Sequence, residues 1–399
     1  MAKRNQQELF INLKSARSLA LEKQGLTGLL SFGNGSEGAL QTIRHLGYVQ
    51  LDTLAVVARA HHHTLWTRTK GYSEDILGDL MREKKIFEYW SHAAACLPME
   101  DFRFSLPRKE EFRKGRSHWF AKDKKIMQYV LDRIRAEGPL AVKHFETDRR
   151  HGSWFDWKPA KIALEQLFHD GTLMVSERKG FQKVYDLAER IIPARTDVTP
   201  PSAAEMARHL ILSNLRAHGI ASAKDITHLQ RGKQKQIAKE LDEMLKDGRV
   251  KKARVKDLSE EYFTLAETKF AESIPTHCRI LSPFDNVLIR RERLLKIFKY
   301  NYAIECYLPE AKRTFGYFCL PVLYDGEFIA RFDPKANRAT KTFIVINFYL
   351  EKKPADFEKF LAAFAGELKS FSAFNGCEKI VIEKTVPAGL KMKLSKALS

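Results

Sequence analysis

The stretch Leu164-Glu-Gln-Leu-Phe-His-Asp-Gly171-Thr-Leu-Met-Val175 reads as the end of a helix, a glycine stop and the start of a strand. A glycine directly after the last helical turn is the usual left-handed cap. The same phrase occurs at Leu40-Gln-Thr-Ile-Arg-His-Leu-Gly47-Tyr-Val and again at Leu241-Asp-Glu-Met-Leu-Lys-Asp-Gly248-Arg-Val. In each copy the first leucine lies seven residues before the glycine, and Ile43, Leu167 and Met244 lie four before it. Upstream of the later copies, helices over 126–137 and 203–218 stop at Gly138 and Gly219. Upstream of the first, an amphipathic helix is expected over 10–29, followed by the turn Gly33-Asn-Gly-Ser36. Downstream, Val175 and residues 181–185 flank the hairpin turn Glu177-Arg-Lys-Gly180, and 250–255 with 262–265 form the equivalent pair. Helix, helix, helix and two-stranded wing predict three tandem winged-helix units.

Beyond Glu272-Ser-Ile-Pro275 the texture turns β-rich. Residues 315–324 and 327–332 are joined by Asp325-Gly326, the strongest short hairpin signal, and 342–350 is a further strand. A helix over 354–375 carries Phe357, Phe360, Leu361, Phe364 and Leu368 on one face, and 379–386 is a last strand. The expected fold class is therefore α+β. Its units span 1–122, 123–195 and 196–272, with a mixed β-rich domain over 273–399. The clearest linker is Ile191-Ile-Pro-Ala-Arg-Thr-Asp-Val-Thr-Pro-Pro201, after which Ser202-Ala-Ala-Glu205 forms a capping box.

A chain of 399 residues exceeds one ordinary core, which agrees with several domains. Lys and Arg number 68 against 49 Asp and Glu, a net charge of +19 that favours a polyanionic partner and salt-sensitive binding. No apolar run approaches the ~20 residues that span a bilayer. The five cysteines are scattered and never spaced Cys-x-x-Cys, which argues for a reducing compartment and against a zinc ribbon or iron–sulfur cluster. The first residues lack an apolar signal core, so the expected location is the cytoplasm, at the nucleoid. No coiled-coil heptad occurs, and a monomer is expected.

Three basic loops suit phosphate contact and stacking, although each alone can equally be a solvated charge run. They are Arg108-Lys-Glu-Glu-Phe-Arg-Lys-Gly-Arg-Ser-His-Trp-Phe120, the segment with Arg149 and Arg150, and the segment with Arg231, Lys233 and Lys235. Arg290, Arg291, Arg293, Lys296 and Lys299 form another basic run. Before it, Ser282-Pro-Phe-Asp285 reads first as helix initiation, with Ser282 as cap and Asp285 in the first turn, and second as an acid in a cleft. Adjacent imidazoles at His61, His62 and His63 splay apart on helix or strand, so no metal site is expected there.

Gln50 and Asp52 lie two residues apart between Val49 and Leu51. On a strand over 48–53 both polar side chains share one face, where they can hold and activate a water or simply face solvent. The run from Gln50-Leu-Asp52 through Ala60-His-His-His-Thr-Leu-Trp-Thr-Arg68 resembles the AlkZ/YcaQ family of bacterial winged-helix DNA glycosylases, in its Gln-apolar-Asp form. The resemblance continues in Leu281-Ser-Pro-Phe-Asp-Asn-Val-Leu288 and Arg331-Phe-Asp-Pro-Lys-Ala336. It implies that Gln50 and Asp52 are catalytic and that one or two of His61, His62 and His63 face DNA or the catalytic motif, the alternative being a polar helix surface capped by Trp66. The three histidines and Arg68 are expected among the DNA-binding residues. It further implies a monofunctional glycosylase for N7-alkylated purines and interstrand crosslinks in duplex DNA, without a cofactor. The rival expectation is a winged-helix transcription regulator that binds DNA without chemistry.

Overall fold

The computed structural model describes residues 8–115, 121–145, 158–230, 232–271, 275 and 277–399. The chain divides into two compact units, one formed by Met1–Tyr72 with Ala207–Ser399 and the other by Ser73–Met206.

In the first unit the expected helix over 10–29 is instead a strand, Leu9–Ile11, followed by the helix Leu13–Lys23. Asn12 causes the break: its side chain accepts from Ser15 N and caps the helix, which favours an extended residue at that point. The strand then runs parallel to Val250–Val255, and the sheet continues through Glu261–Leu265 to Ala221–Ser222. Leu9–Ile11 thus completes a sheet whose other strands lie more than 200 residues later in the chain. Beneath that sheet, Ile211, Leu215, Ile237, Leu241 and Met244 fill a small core. Helix Gly35–Leu46 ends at Gly47, whose φ of +79° lets its N–H donate to Ile43 O.

The β-rich region forms a five-stranded sheet in the order Cys278–Ile280, Leu320–Tyr324, Glu327–Asn337, Thr342–Leu350, Lys379–Val386. All neighbours are antiparallel except the last pair, whose parallel crossover is the helix Phe357–Phe374. Asp325 and Gly326 both take positive φ, as the tight hairpin turn demands. The helix lays Phe360, Phe364, Leu368 and Phe371 on Phe332, Phe343 and Phe348 of the sheet. Val57, from the segment after the Gln50-Leu-Asp52 motif, is buried in the same core.

The second unit holds helices Asp75–Arg82, Leu106–Arg113, Lys124–Glu137 and Lys158–His169. Its sheets are the hairpin Ile86–Trp90 with Ala94–Pro98, and the three strands Leu140–Ala141, Gln182–Leu187 and Leu173–Lys179 in that order. The capping box is present, with Ser202 and Glu205 exchanging backbone and side-chain bonds. Part of the basic loop at 108–120 is buried. Lys109 lies on the helix Leu106–Arg113 with its ammonium 3.8 Å from the Phe102 ring and 4.7 Å from that of Tyr89, while Arg108 lies over Trp90 and Phe112. Residues 116–120 lie outside the described part. Among the described residues, no helix is long and apolar enough to cross a membrane.

Candidate active site

The expected strand over 48–53 is only Val49–Gln50, and Asp52 stands in the loop beyond it. The reason is local. Asp52 Oδ1 accepts from Leu54 N at 2.8 Å, a side-chain turn that competes with ladder pairing. Gln50 and Asp52 are both half-buried. The loop that follows is pinned to the five-stranded sheet and its helix: Ala336 N donates to Val56 O at 3.0 Å, and Asn375 Oδ1 accepts from Ala58 N at 2.6 Å. Leu54 and Val56 pack onto the sheet core. The Asp52 carboxylate is therefore held by its own turn at one oxygen and by an anchored loop behind it. Its Oδ2 has no protein hydrogen-bond partner, and no cation pairs with it, among the described residues.

Burial pushes the Asp52 carboxyl above the ordinary Asp range, and the Leu54 N–H only partly opposes this. A carboxylate desolvated without a counter-charge is a stronger base and stabilises a nearby cation more than one in water. Asp52 is coupled by charge to a segment on which the sequence was silent. The Cys306 thiol and the Tyr307 hydroxyl, each only partly covered, are raised first by partial loss of water around them, and the Asp52 charge adds to the rise in both. Nothing periodic marks this stretch; its signal is an aromatic–apolar pair, Tyr307-Leu308, ahead of Pro309 in an irregular segment.

The histidine trio sits on the helix Ala60–Trp66, where the His61 and His62 ring centroids lie 4.3 Å apart instead of splaying as expected. His63 is fully buried, donates from Nε2 to Ile280 O at 2.8 Å, and stacks on Phe371. His62 Nδ1 is 2.8 Å from the Tyr72 hydroxyl, and His61 is buried with its ring against that of His62. Burial lowers His62 and His63 to about 4, so both are neutral near pH 7 and offer phosphate no charge. Of the three, only the half-buried His62 reaches the surface. The expectation that His61 and His63 face DNA is corrected by their burial.

Arg68 is likewise corrected. Its side chain is fully buried and forms a two-pronged ion pair with Asp285, at 2.7 and 2.8 Å, while Nε donates to Gln24 O. A phosphate has no access to it. Asp285 in turn accepts from Val287 N and caps the helix Asn286–Ile289, so it is the cap itself and neither a first-turn residue nor a cleft acid. The basic run beyond is largely neutralised in place. Arg290 pairs with Asp225, Lys296 with Glu260 and Glu292, and Arg291 lies over the Tyr302 ring. Lys233 and Lys235, at the start of helix Gln234–Lys246, are half-buried and exposed respectively. Arg149, Arg150 and Arg231 lie outside the described residues.

A family model described as DNA glycosylase AlkZ-like matches residues 43–374, a span containing the Gln50-Leu-Asp52 turn, the anchored loop and the Tyr307 segment. Among solved structures, the chain is similar to Streptomyces sahachiroi DNA glycosylase AlkZ. The two share 15% identity over 94% of this chain and 100% of that one, with a TM-score of 0.63.

Proposed function

The chain belongs to the AlkZ-like DNA glycosylases, hydrolases of N-glycosyl bonds in DNA, and from that premise we propose that its substrates are cationic N7-alkylated purines, including those in interstrand crosslinks. The observation that carries this reading is the Asp52 carboxylate, immobilised at Oδ1, desolvated, and without a cation of its own among the described residues. An N7-alkylated purine already bears positive charge and departs with little help from an acid. The barrier then lies in an oxocarbenium-like sugar and a water that must be aligned with it. Asp52 stabilises the developing sugar cation and takes the proton of the attacking water, while Gln50, two residues away, fixes that water's position. A shallow, solvent-open site suits a crosslinked base, which is tied to the opposite strand and cannot be flipped freely.

The helical phrases ending at Gly47, Gly171 and Gly248, with the hairpins that follow the later two, serve in this reading as winged-helix modules laid on duplex DNA. They fall in the units 1–122, 123–195 and 196–272, with Lys233 and Lys235 on phosphates and the enzyme working as a monomer at the nucleoid. By their charge alone, Arg149, Arg150 and Arg231 are assigned in this reading to phosphate contact as well. A duplex bearing a single N7-methylguanine, incubated with the protein and then heated in alkali, should break at the lesion. A protein that shifts this duplex in a gel yet leaves it alkali-stable would fit the regulator instead and end the proposal.

A further inference from the structure

Residues 301–319 contain only one short helical turn, Glu310–Lys312, yet the segment is tightly ordered from within. Glu305 Oε2 accepts from Thr314, Phe315 and Gly316 N at 2.9, 2.8 and 3.2 Å. Arg313 Nε donates to Leu308 O at 3.0 Å, and Leu308 N donates back to Glu305 O at 2.9 Å. At the far end, Asp333 accepts from Tyr317 and Phe318 N at 3.0 and 2.9 Å. Gly316 is required there, since a Cβ would sit 2.2 Å from Asp333 Oδ2. These bonds hold a loop whose tip buries little: Tyr307 is 73% exposed and Leu308 41% exposed.

Ordering a loop costs conformational entropy, and burial at this tip does not repay it. The order instead presents an aromatic ring in a set place, which lowers the entropy lost when something stacks on it. Ile304 and Tyr317, the two shoulders of the loop, pack on the same core as Leu54 and Val56, which follow Asp52. The Tyr307 hydroxyl lies within electrostatic reach of that carboxylate. A ring face carries partial negative charge, and the carboxylate a full one, so the pair disfavours an anion and favours a flat cation between them.

We propose that Tyr307 is a substrate-contacting, specificity-determining residue whose ring stacks on the cationic purine presented to Asp52, so that the site prefers a charged base to a neutral one. The inference rests on the reading of the substrate as an N7-alkylated purine. It is tested by single-turnover excision of N7-methylguanine, with binding to undamaged duplex measured alongside. Tyr307→Phe should stay close to wild type. Tyr307→Leu should lose about five- to thirtyfold in excision, the range of a desolvated cation–ring contact, with unchanged melting and unchanged binding to undamaged duplex. Phenylalanines with one, two and three fluorines at this position should lower the rate stepwise, because each fluorine drains the ring face.

A Tyr307→Leu variant as fast as wild type would overturn the proposal. So would a flat fluorine series, which means mere apolar contact, or an equal loss of binding to undamaged duplex, which means a general wedge. Wild-type protein that releases no N7-methylguanine would sink the substrate reading itself, and that arm is read before any substitution is made.

Discussion

Asp52 and Asp285 belong to the same unit, and each uses Oδ1 to accept from the backbone N–H two residues on, Leu54 in one case and Val287 in the other. Their surroundings separate them. Asp285 is completely buried and faces the guanidinium of Arg68, itself held by Gln24 and Thr64. Asp52 is half-buried and faces no cation among the described residues, so burial dominates and raises its pKa. A buried charge that meets its counter-ion is part of the framework; one left without it is available to a charge brought by the substrate. Identical local turns therefore serve different ends, decided by what lies across from them.

The sharpest way to break this comparison is Asp52→Asn, which keeps shape and removes charge. Single-turnover excision should fall by about two to four decades, ~3–5 kcal/mol of transition-state stabilisation at ~1.4 kcal/mol per decade, with lesion binding little changed. A loss under about threefold, some 0.6 kcal/mol, would assign the chemistry elsewhere. The acid side of the wild-type pH–rate profile should lie above the ordinary Asp value of 3.8, since the carboxylate must be ionised to act and burial raises its pKa. The sign for stability is opposite. A raised folded-state pKa contributes stability at low pH that is lost as pH rises through it, so at pH 7 the charge is a net cost and Asp52→Asn should not lower Tm.

Asp285→Asn should do the reverse. It strands Arg68 as a buried, uncompensated charge, at a cost of about 3–5 kcal/mol. Tm should fall on the order of 10 °C, while excision per folded molecule stays near wild type. Equal Tm values for the two Asn variants would erase the distinction between framework and chemistry.

Lys109 extends the comparison to the other unit, as a buried cation among rings with no hydrogen bond at Nζ among the described residues. Burial lowers it to about 7 from the ordinary 10.5. Between those pH values the unfolded chain binds more protons, so stability should rise with pH across the window. Lys109→Met should therefore stabilise most at and below pH 7, on the order of a few kcal/mol at ~1.4 per pKa unit, and progressively less toward pH 10. Chemical denaturation at several pH values reads this directly; a gain that does not vary with pH would show that the ammonium is not the cause.

The smallest effect belongs to Lys233 and Lys235, which remain at the surface. Changing both to Ala should weaken binding to all duplexes alike and reduce the salt slope by about 0.9 for each phosphate that is no longer neutralised. Binding that discriminates among sequences more after the change than before would argue for base contact instead.

Features set by neighbours along the chain were legible in the residues themselves. Gly47, Gly138, Gly171, Gly219 and Gly248 all take the positive φ that their places after helices required. Asp325-Gly326 makes its hairpin, and Ser202 with Glu205 its capping box. The close spacing of Gln50 and Asp52 was visible too, although the strand expected to carry both stops at Gln50, because the Asp52 side chain takes the Leu54 N–H for itself. A one-residue capping preference at Asn12 similarly divided the expected first helix.

What lies across from a residue was not legible, because pairings at long separation are settled by packing and not by local preference. Arg68 reads as a free cation until Asp285, 217 positions on, is brought against it. His63 reads as a residue that faces DNA until the core encloses it and Ile280 O accepts its N–H. The strand Leu9–Ile11 has no partner until Val250–Val255 folds beside it. By itself the sequence determined which residues are able to carry charge, cap a helix or turn the chain. Only the tertiary structure decided which charges are neutralised, since a counter-ion or a desolvating wall is a neighbour in space; that is why Asp52 is left open where Asp285 is not.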